Sequence, residues 1–130
     1  MKGSIVAIVT PMLENGKVDF DSFKKLLSFH EENNTDGIVL VGTTGESATL
    51  TANEREEIFK FAVAETEIPL MAGVGSSSTK EACRLVEIAA KSGITECLAV
   101  TPYYNKPSQT GLELHFTELA NTQSMITRNH

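Results

Sequence analysis

The residues Gly42-Thr43-Thr44-Gly45-Glu46-Ser47 gather more potential chemistry than any other stretch of this chain. The two glycines permit a tight turn and a close approach of the backbone. Thr43, Thr44 and Ser47 supply hydroxyls that both donate and accept hydrogen bonds. A turn with successive N–H groups can hold a small anion. The same composition also suits a plain strand-to-helix turn with Ser/Thr capping, and the stretch alone leaves both readings open. A second group is Thr101-Pro102-Tyr103-Tyr104-Asn105-Lys106-Pro107. Taken alone, its two tyrosines read as aromatic packing on a Pro-rich loop. His30 and His115 have no second ligand type at metal spacing and read as helix-end and packing residues. Cys83 and Cys97 form no C-x-x-C pair and read as reduced, buried thiols.

The elements that must carry these residues follow from the hydrophobic pattern. Ile38-Val39-Leu40-Val41, just before Gly42, is an apolar run that reads as a strand buried on both faces. Ligands of α/β proteins bind at the C-terminal ends of such strands. Ile5–Val9 is an earlier strand, closed by Thr10-Pro11, and Glu14-Asn15-Gly16 is a turn. Asp19 can cap a helix with Phe20, Phe23, Leu26 and Leu27 on one face. Thr51 to Glu54 matches a capping box before a helix bearing Ile58, Phe61 and Ala62. Ile68–Ala72 is the third strand. Ser78 to Glu81 is a second capping box, before a helix with Ala82, Leu85, Val86 and Ala89 inward and Ser92-Gly93 at its end. Cys97–Val100 is the fourth strand. A last helix starts at Gly111, with Leu112, His115, Phe116 and Leu119 on one stripe. The repeat is about 30 residues, that of βα units in a parallel sheet. A doubly wound sheet and part of a (β/α)8 barrel both fit that period.

Composition sets the class. The 130 residues are 41% hydrophobic and 22% charged, as in a soluble globular domain. The net charge is −6 with no basic patch, so nucleic acid and anionic membrane are not expected as partners. The N-terminus lacks a signal-peptide pattern and no apolar run is long enough to span a membrane, so a cytoplasmic protein is expected.

Three stretches decide between the folds. They are Gly3 to Pro11 (GSIVAIVTP), Val41 to Leu50 (VGTTGESATL) and Val100 to Gln109 (VTPYYNKPSQ), each at the end of a predicted strand. Together they resemble the dihydrodipicolinate synthase family, (β/α)8 barrels among the pyruvate-dependent class I aldolases. The resemblance implies that a lysine forms a Schiff base with pyruvate and that the enamine attacks aspartate semialdehyde, in lysine biosynthesis. It implies no metal and no organic cofactor, and a homodimer or homotetramer. By the same resemblance Thr43 and Tyr104 match two members of a proton relay, the Tyr entering from the neighbouring subunit. Thr44 matches a contact to the pyruvate carboxylate. Hydroxyls that donate and accept can pass a proton without a metal. Ser47, Ala48, Glu81 and Tyr103 match a regulatory lysine site. There Ala52, Arg55 and Ser77 depart from the residues of many lysine-inhibited members, and an unpaired Arg would repel a lysine side chain.

The resemblance covers residues 1–122, the N-terminal half of such a barrel with about four βα units, and residues 123–130 read as an unrelated tail. The family's Schiff-base lysine, on the sixth strand, falls outside this truncated barrel. Lys2, Lys17, Lys24, Lys25, Lys60, Lys80, Lys91 and Lys106 all lie in predicted loops or on polar helix faces. An imine-forming lysine needs a desolvated or perturbed site to be neutral at pH 7. The expected protein is therefore inactive alone, with an inner sheet face and two edges open to pairing. The alternatives are a sibling aldolase acting on a sugar acid, and a non-catalytic half-barrel.

Overall fold

The computed structural model describes residues 3–41, 50–74 and 79–98. Within them the order is β1 (Ile5–Ala7), α1 (Phe20–Glu32), β2 (Gly37–Leu40), α2 (Ala52–Glu65), β3 (Leu70–Gly73), α3 (Thr79–Lys91) and β4 (Cys97–Leu98). The fourth strand beyond Leu98, the helix from Gly111 and the residues 123–130 lie outside the described residues.

Local chemistry fixes the helix ends. Asp19 caps α1, its carboxylate accepting from the Ser22 N–H at 3.1 Å and the Ser22 hydroxyl at 2.7 Å. These bonds, the hydroxyl's first, hold the Asp19 carboxyl below its usual value. The α1 helix ends at Asn33, and Asn34 then takes a left-handed φ of 56°, which Asn tolerates better than most residues. Thr51 and Glu54 form a reciprocal capping box on α2, with bonds of 2.9 and 3.1 Å. The expected cap Ser78 lies outside the described residues. At the far end of α3, Gly93 adopts φ 102° and Ile94 donates back to the Ala89 carbonyl at 2.9 Å.

The sheet is parallel throughout and its order is β1-β2-β3-β4. Consecutive neighbours joined by right-handed crossovers place all three helices on one face. That distinguishes a barrel segment from a doubly wound sheet, whose order reverses and whose helices cover both faces. The register confirms it. Ile38 pairs with Val6 and with Leu70, and these positions, with Ile8, Leu40, Ala72 and Cys97, belong to the core under the helices. The alternate row, Ile5, Ala7 and Val39, stands outside that core. Along β1 the alternation is plain, with Ile5 and Val9 43% and 48% exposed and Ile8 buried. The fold is thus α/β with the arrangement of the first part of a (β/α)8 barrel.

The core is Phe23 and Leu27 of α1, Ile58, Phe59 and Ala62 of α2, and Ala82, Leu85, Val86 and Ala89 of α3, packed on Ile8, Ile38, Leu40 and Ala72. Each such large apolar side chain contributes roughly 1.5–3 kcal/mol by leaving water. The inward residues expected for α3 are the buried ones. On α2 the pattern is broader than expected. Phe59 is fully buried, whereas Phe61 packs its ring 4.9 Å from Phe20 and 5.8 Å from Phe23. This helix is flanked by α1 and α3, so it buries a wider arc than a one-sided helix. The strands are shorter than the apolar runs. β1 stops at Ala7, although Ile8 still donates to the Val39 carbonyl at 3.2 Å. β3 starts at Leu70, after Pro69, whose carbonyl accepts from Ile38 at 3.0 Å.

Candidate active site

Parallel strands bring their C-terminal ends to one rim. Thr10 follows β1 there, Val41 follows β2 and Val74 follows β3. Val74 extends the ladder past β3 by donating to the Leu98 carbonyl at 3.0 Å. Two rim residues carry features that the sequence reading passed over. Thr10 is 5% exposed, and its hydroxyl has no hydrogen-bond partner among the described residues. A buried hydroxyl so placed is costly unless something else satisfies it. Val41 is fully buried yet has φ 58°. That conformation is costly for a β-branched residue, and such strain is typical of backbone held for a purpose. The β2 strand ends at Leu40, two residues before Gly42, and the bend begins at Val41. Only the Thr-Pro closing the first strand hinted at Thr10, and nothing in the sequence pointed to Val41.

Of the expected site residues only Glu81 is among those described. It sits in the first turn of α3, half-buried, with Arg84 Nη1 3.9 Å from its carboxylate. Thr43, Thr44, Ser47, Ala48, Tyr103 and Tyr104 lie outside the described residues, as do Ser77 and Lys106. Of the three positions where the regulatory pattern departs, Ala52 and Arg55 are described. Ala52 opens α2, and Arg55 is buried on the side of α2 that also carries Ile58, Phe59 and Ala62. Lys17, Lys24, Lys25, Lys60, Lys80 and Lys91 are all exposed. Lys60 pairs with Glu56 at 2.9 Å and Lys24 with Glu65 at 3.8 Å. His30, at the end of α1, places Nδ1 3.1 Å from the Thr35 hydroxyl and packs edge-on to Phe29. Cys83 and Cys97 are free thiols, half-buried, and burial pushes the Cys97 thiol up to about 11.

An open groove of about 950 Å³ lies at the opposite end of the sheet, between Asn34–Asp36 and Thr66–Pro69. Its walls carry Glu31, Asp36, Glu65 and Glu67, and the Thr66 hydroxyl donates to Glu31 at 2.5 Å. In barrels that end serves stability, and chemistry sits at the C-terminal rim. The groove's size is therefore no argument for a catalytic role. No helix of the described residues is long and apolar enough to cross a membrane.

Comparison with known proteins agrees with this geometry. Residues 1–128 match the Dihydrodipicolinate synthetase family. A 4-hydroxy-tetrahydrodipicolinate synthase of Dechloromonas aromatica is 53% identical over 120 residues, which are 91% of this chain and 41% of that protein. One from Persephonella marina is 49% identical over 126 residues, 95% of this chain and 43% of the relative. Among solved structures, dihydrodipicolinate synthase from Aquifex aeolicus aligns with a TM-score of 0.89 at 45% identity, over 94% of this chain and 42% of that one. A 2-keto 3-deoxygluconate aldolase from Picrophilus torridus aligns with a TM-score of 0.88 at 30% identity, over 93% and 44%. The chain spans about two-fifths of the length of these relatives, at their N-terminal side. A sequence match over nearly every residue, joined to a sequential parallel sheet with its helices on one face, makes this chain a member of the dihydrodipicolinate synthetase family.

Proposed function

We propose that this chain is the N-terminal portion of a pyruvate-condensing synthase. Pyruvate and aspartate semialdehyde would be joined through a lysine Schiff base, in the cytoplasm and in an oligomer. Thr43 and Tyr104 serve in the proton relay and Thr44 holds the pyruvate carboxylate. Ser47, Ala48, Glu81 and Tyr103 form the remnant of a lysine-binding site. The observation that carries the reading is sequential. The G-T-T-G-E stretch begins directly after β2 and the bend at Val41, where the strand's C-terminal end meets the rim. A Thr hydroxyl and a phenol can hand on a proton by donating and accepting in turn.

The 130 residues alone are not expected to form the imine. Every described lysine is exposed, whereas an imine-forming lysine needs a desolvated or electrostatically perturbed site. The test is borohydride trapping with pyruvate, read by intact mass. The isolated chain should gain no adduct. The same chain extended by the remaining length of its Dechloromonas relative should gain one. A stoichiometric adduct on the 130-residue chain would overturn the reading and point first to Lys106. The likeness to the Picrophilus aldolase supports a second reading, an aldolase of sugar acids. Turnover of the extended chain with aspartate semialdehyde and not with 2-keto-3-deoxygluconate separates the two.

A further inference from the structure

We infer that Thr10 is a positioning residue of the proposed pyruvate site: its hydroxyl, which the fold leaves without a partner, holds the turn after β2 in its pyruvate-binding arrangement. The inference rests on the proposed function and adds one residue to it. Thr10 closes the apolar run of the first strand, on the rim where Val41 leaves β2. It is 5% exposed, and its hydroxyl oxygen is out of reach of water with no hydrogen-bond partner among the described residues. Such a hydroxyl lowers the stability of a fold, since its bonds to water are given up and nothing replaces them. A valine of nearly the same shape would fill the place without that loss.

The register shows what the hydroxyl stands beside. β1 and β2 pair Ile5 with Gly37, Val6 with Ile38 and Ala7 with Val39. The ladder goes on through the Ile8 N–H, which donates to the Val39 carbonyl at 3.2 Å. The next bond in that series would join the Thr10 N–H to the Val41 carbonyl, and among the described residues it is not made. Val41 has left extended backbone there, with φ 58°. Two unfavourable features thus fall at one level of the sheet, a buried hydroxyl without a partner and a β-branched residue in left-handed backbone. Features of this kind persist where a site needs them. The chain that follows Val41 is Gly42-Thr43-Thr44, which the proposed function gives to the pyruvate carboxylate and the proton relay. Thr10 continues the row of Ile8, on the helix side of the sheet, so its hydroxyl does not touch pyruvate. It acts through the turn. A hydrogen bond that folding does not use and the pyruvate-holding turn does use favours binding and leaves folding unaided.

The test uses the chain extended by the remaining length of its Dechloromonas relative, with Thr10→Val and Thr10→Ser. Urea denaturation without pyruvate reads the effect on the fold. The rate of borohydride trapping against pyruvate concentration reads the effect on the site. Thr10→Val should keep or raise the urea midpoint, and should raise the half-saturating pyruvate concentration about tenfold, as loss of one hydrogen bond does. Its maximal trapping rate should stay within about twofold, since the group lost serves binding and not the imine step. Thr10→Ser keeps the hydroxyl and should restore the pyruvate dependence. A lower urea midpoint in Thr10→Val would overturn the inference, because the hydroxyl would then be bonded within the fold. So would an unchanged half-saturating concentration, or a serine variant as weak as the valine one. If the unsubstituted extended chain trapped no pyruvate, the proposed function would fall and this inference with it. Any of the other adverse results, in an extended chain that does trap pyruvate, overturns the role of Thr10 alone.

Discussion

Cys97 shows how burial on the helix side of the sheet sets chemistry at one atom. It follows the last turn of α3 through Ile94 and pairs with Ala72 in the register of β3 and β4. Desolvation alone raises its thiol from 9.0 to about 11, since the thiolate is the form that burial penalises. The thiol is thus neutral and a poor nucleophile at pH 8. Alkylation by iodoacetamide at that pH should be much slower at Cys97 in the folded chain than in guanidinium, as read by peptide mass. Below pH 9 the thiol is protonated in both folded and unfolded chains and adds no pH dependence. Between pH 9 and about 11 the unfolded chain releases its proton first, so stability falls over that window. A denaturation midpoint that rises from pH 9 to 10.5 would contradict the burial of this group. Asp19 has the opposite sign, since its bonds from Ser22 stabilise the carboxylate. Its contribution is present above the ordinary carboxyl value of 3.8 and is lost as pH falls through the lower folded one.

At the scale of elements, what the sequence made legible is what local chemistry decides. Asp19 with Ser22, and Thr51 with Glu54, mark helix starts because a side-chain oxygen and a backbone N–H three residues apart meet without tertiary help. Thr51→Ala removes the acceptor for the Glu54 N–H and should cost about 1 kcal/mol. Thr51→Ser should recover most of it, as measured by urea denaturation. An unchanged midpoint in Thr51→Ala would mean that packing, not the cap, sets the start of α2. The inward face of α3 was equally legible, because α3 is strongly two-sided. Phe59 was not, since its burial depends on the neighbouring helices and not on spacing within α2. The strand ends escaped for a related reason. Apolar runs Ile5–Val9 and Ile38–Val41 outlast the hydrogen-bonded strands because inward and outward positions are both apolar there. The left-handed Val41 has no local signature at all, as valine is a residue that disfavours that conformation. For the site itself, residue types and spacing suggested chemistry at Gly42–Ser47, but the role of each hydroxyl came from the resemblance and rests on the proposed function.

At the scale of the molecule, the two faces of one sheet separate the stability of a single copy from that of an assembly. Ile38 and Ile5 are the same residue type on adjacent parallel strands. Ile38 is fully buried under the helices, and Ile5 is 43% exposed on the other face. Ile38→Ala leaves a cavity in a core already complete within one copy, at a cost of about 2–5 kcal/mol. That loss should appear undiminished in a dilute sample. Ile5→Ala removes little buried surface from one copy and should cost under about 1 kcal/mol when dilute. If another molecule covers this face, Ile5 enters an interior, and its loss becomes linked to association by mass action. The gap in melting temperature between Ile5→Ala and the parent should then widen as chain concentration rises. The loss caused by Ile38→Ala persists even in monomer that never associates. A concentration-independent gap for Ile5→Ala would mean that this face stays in water. Then the exposed row Ile5, Ala7 and Val9 would be a bare surface at every concentration tested, and the stability of this sheet would rest on its helix-covered face alone.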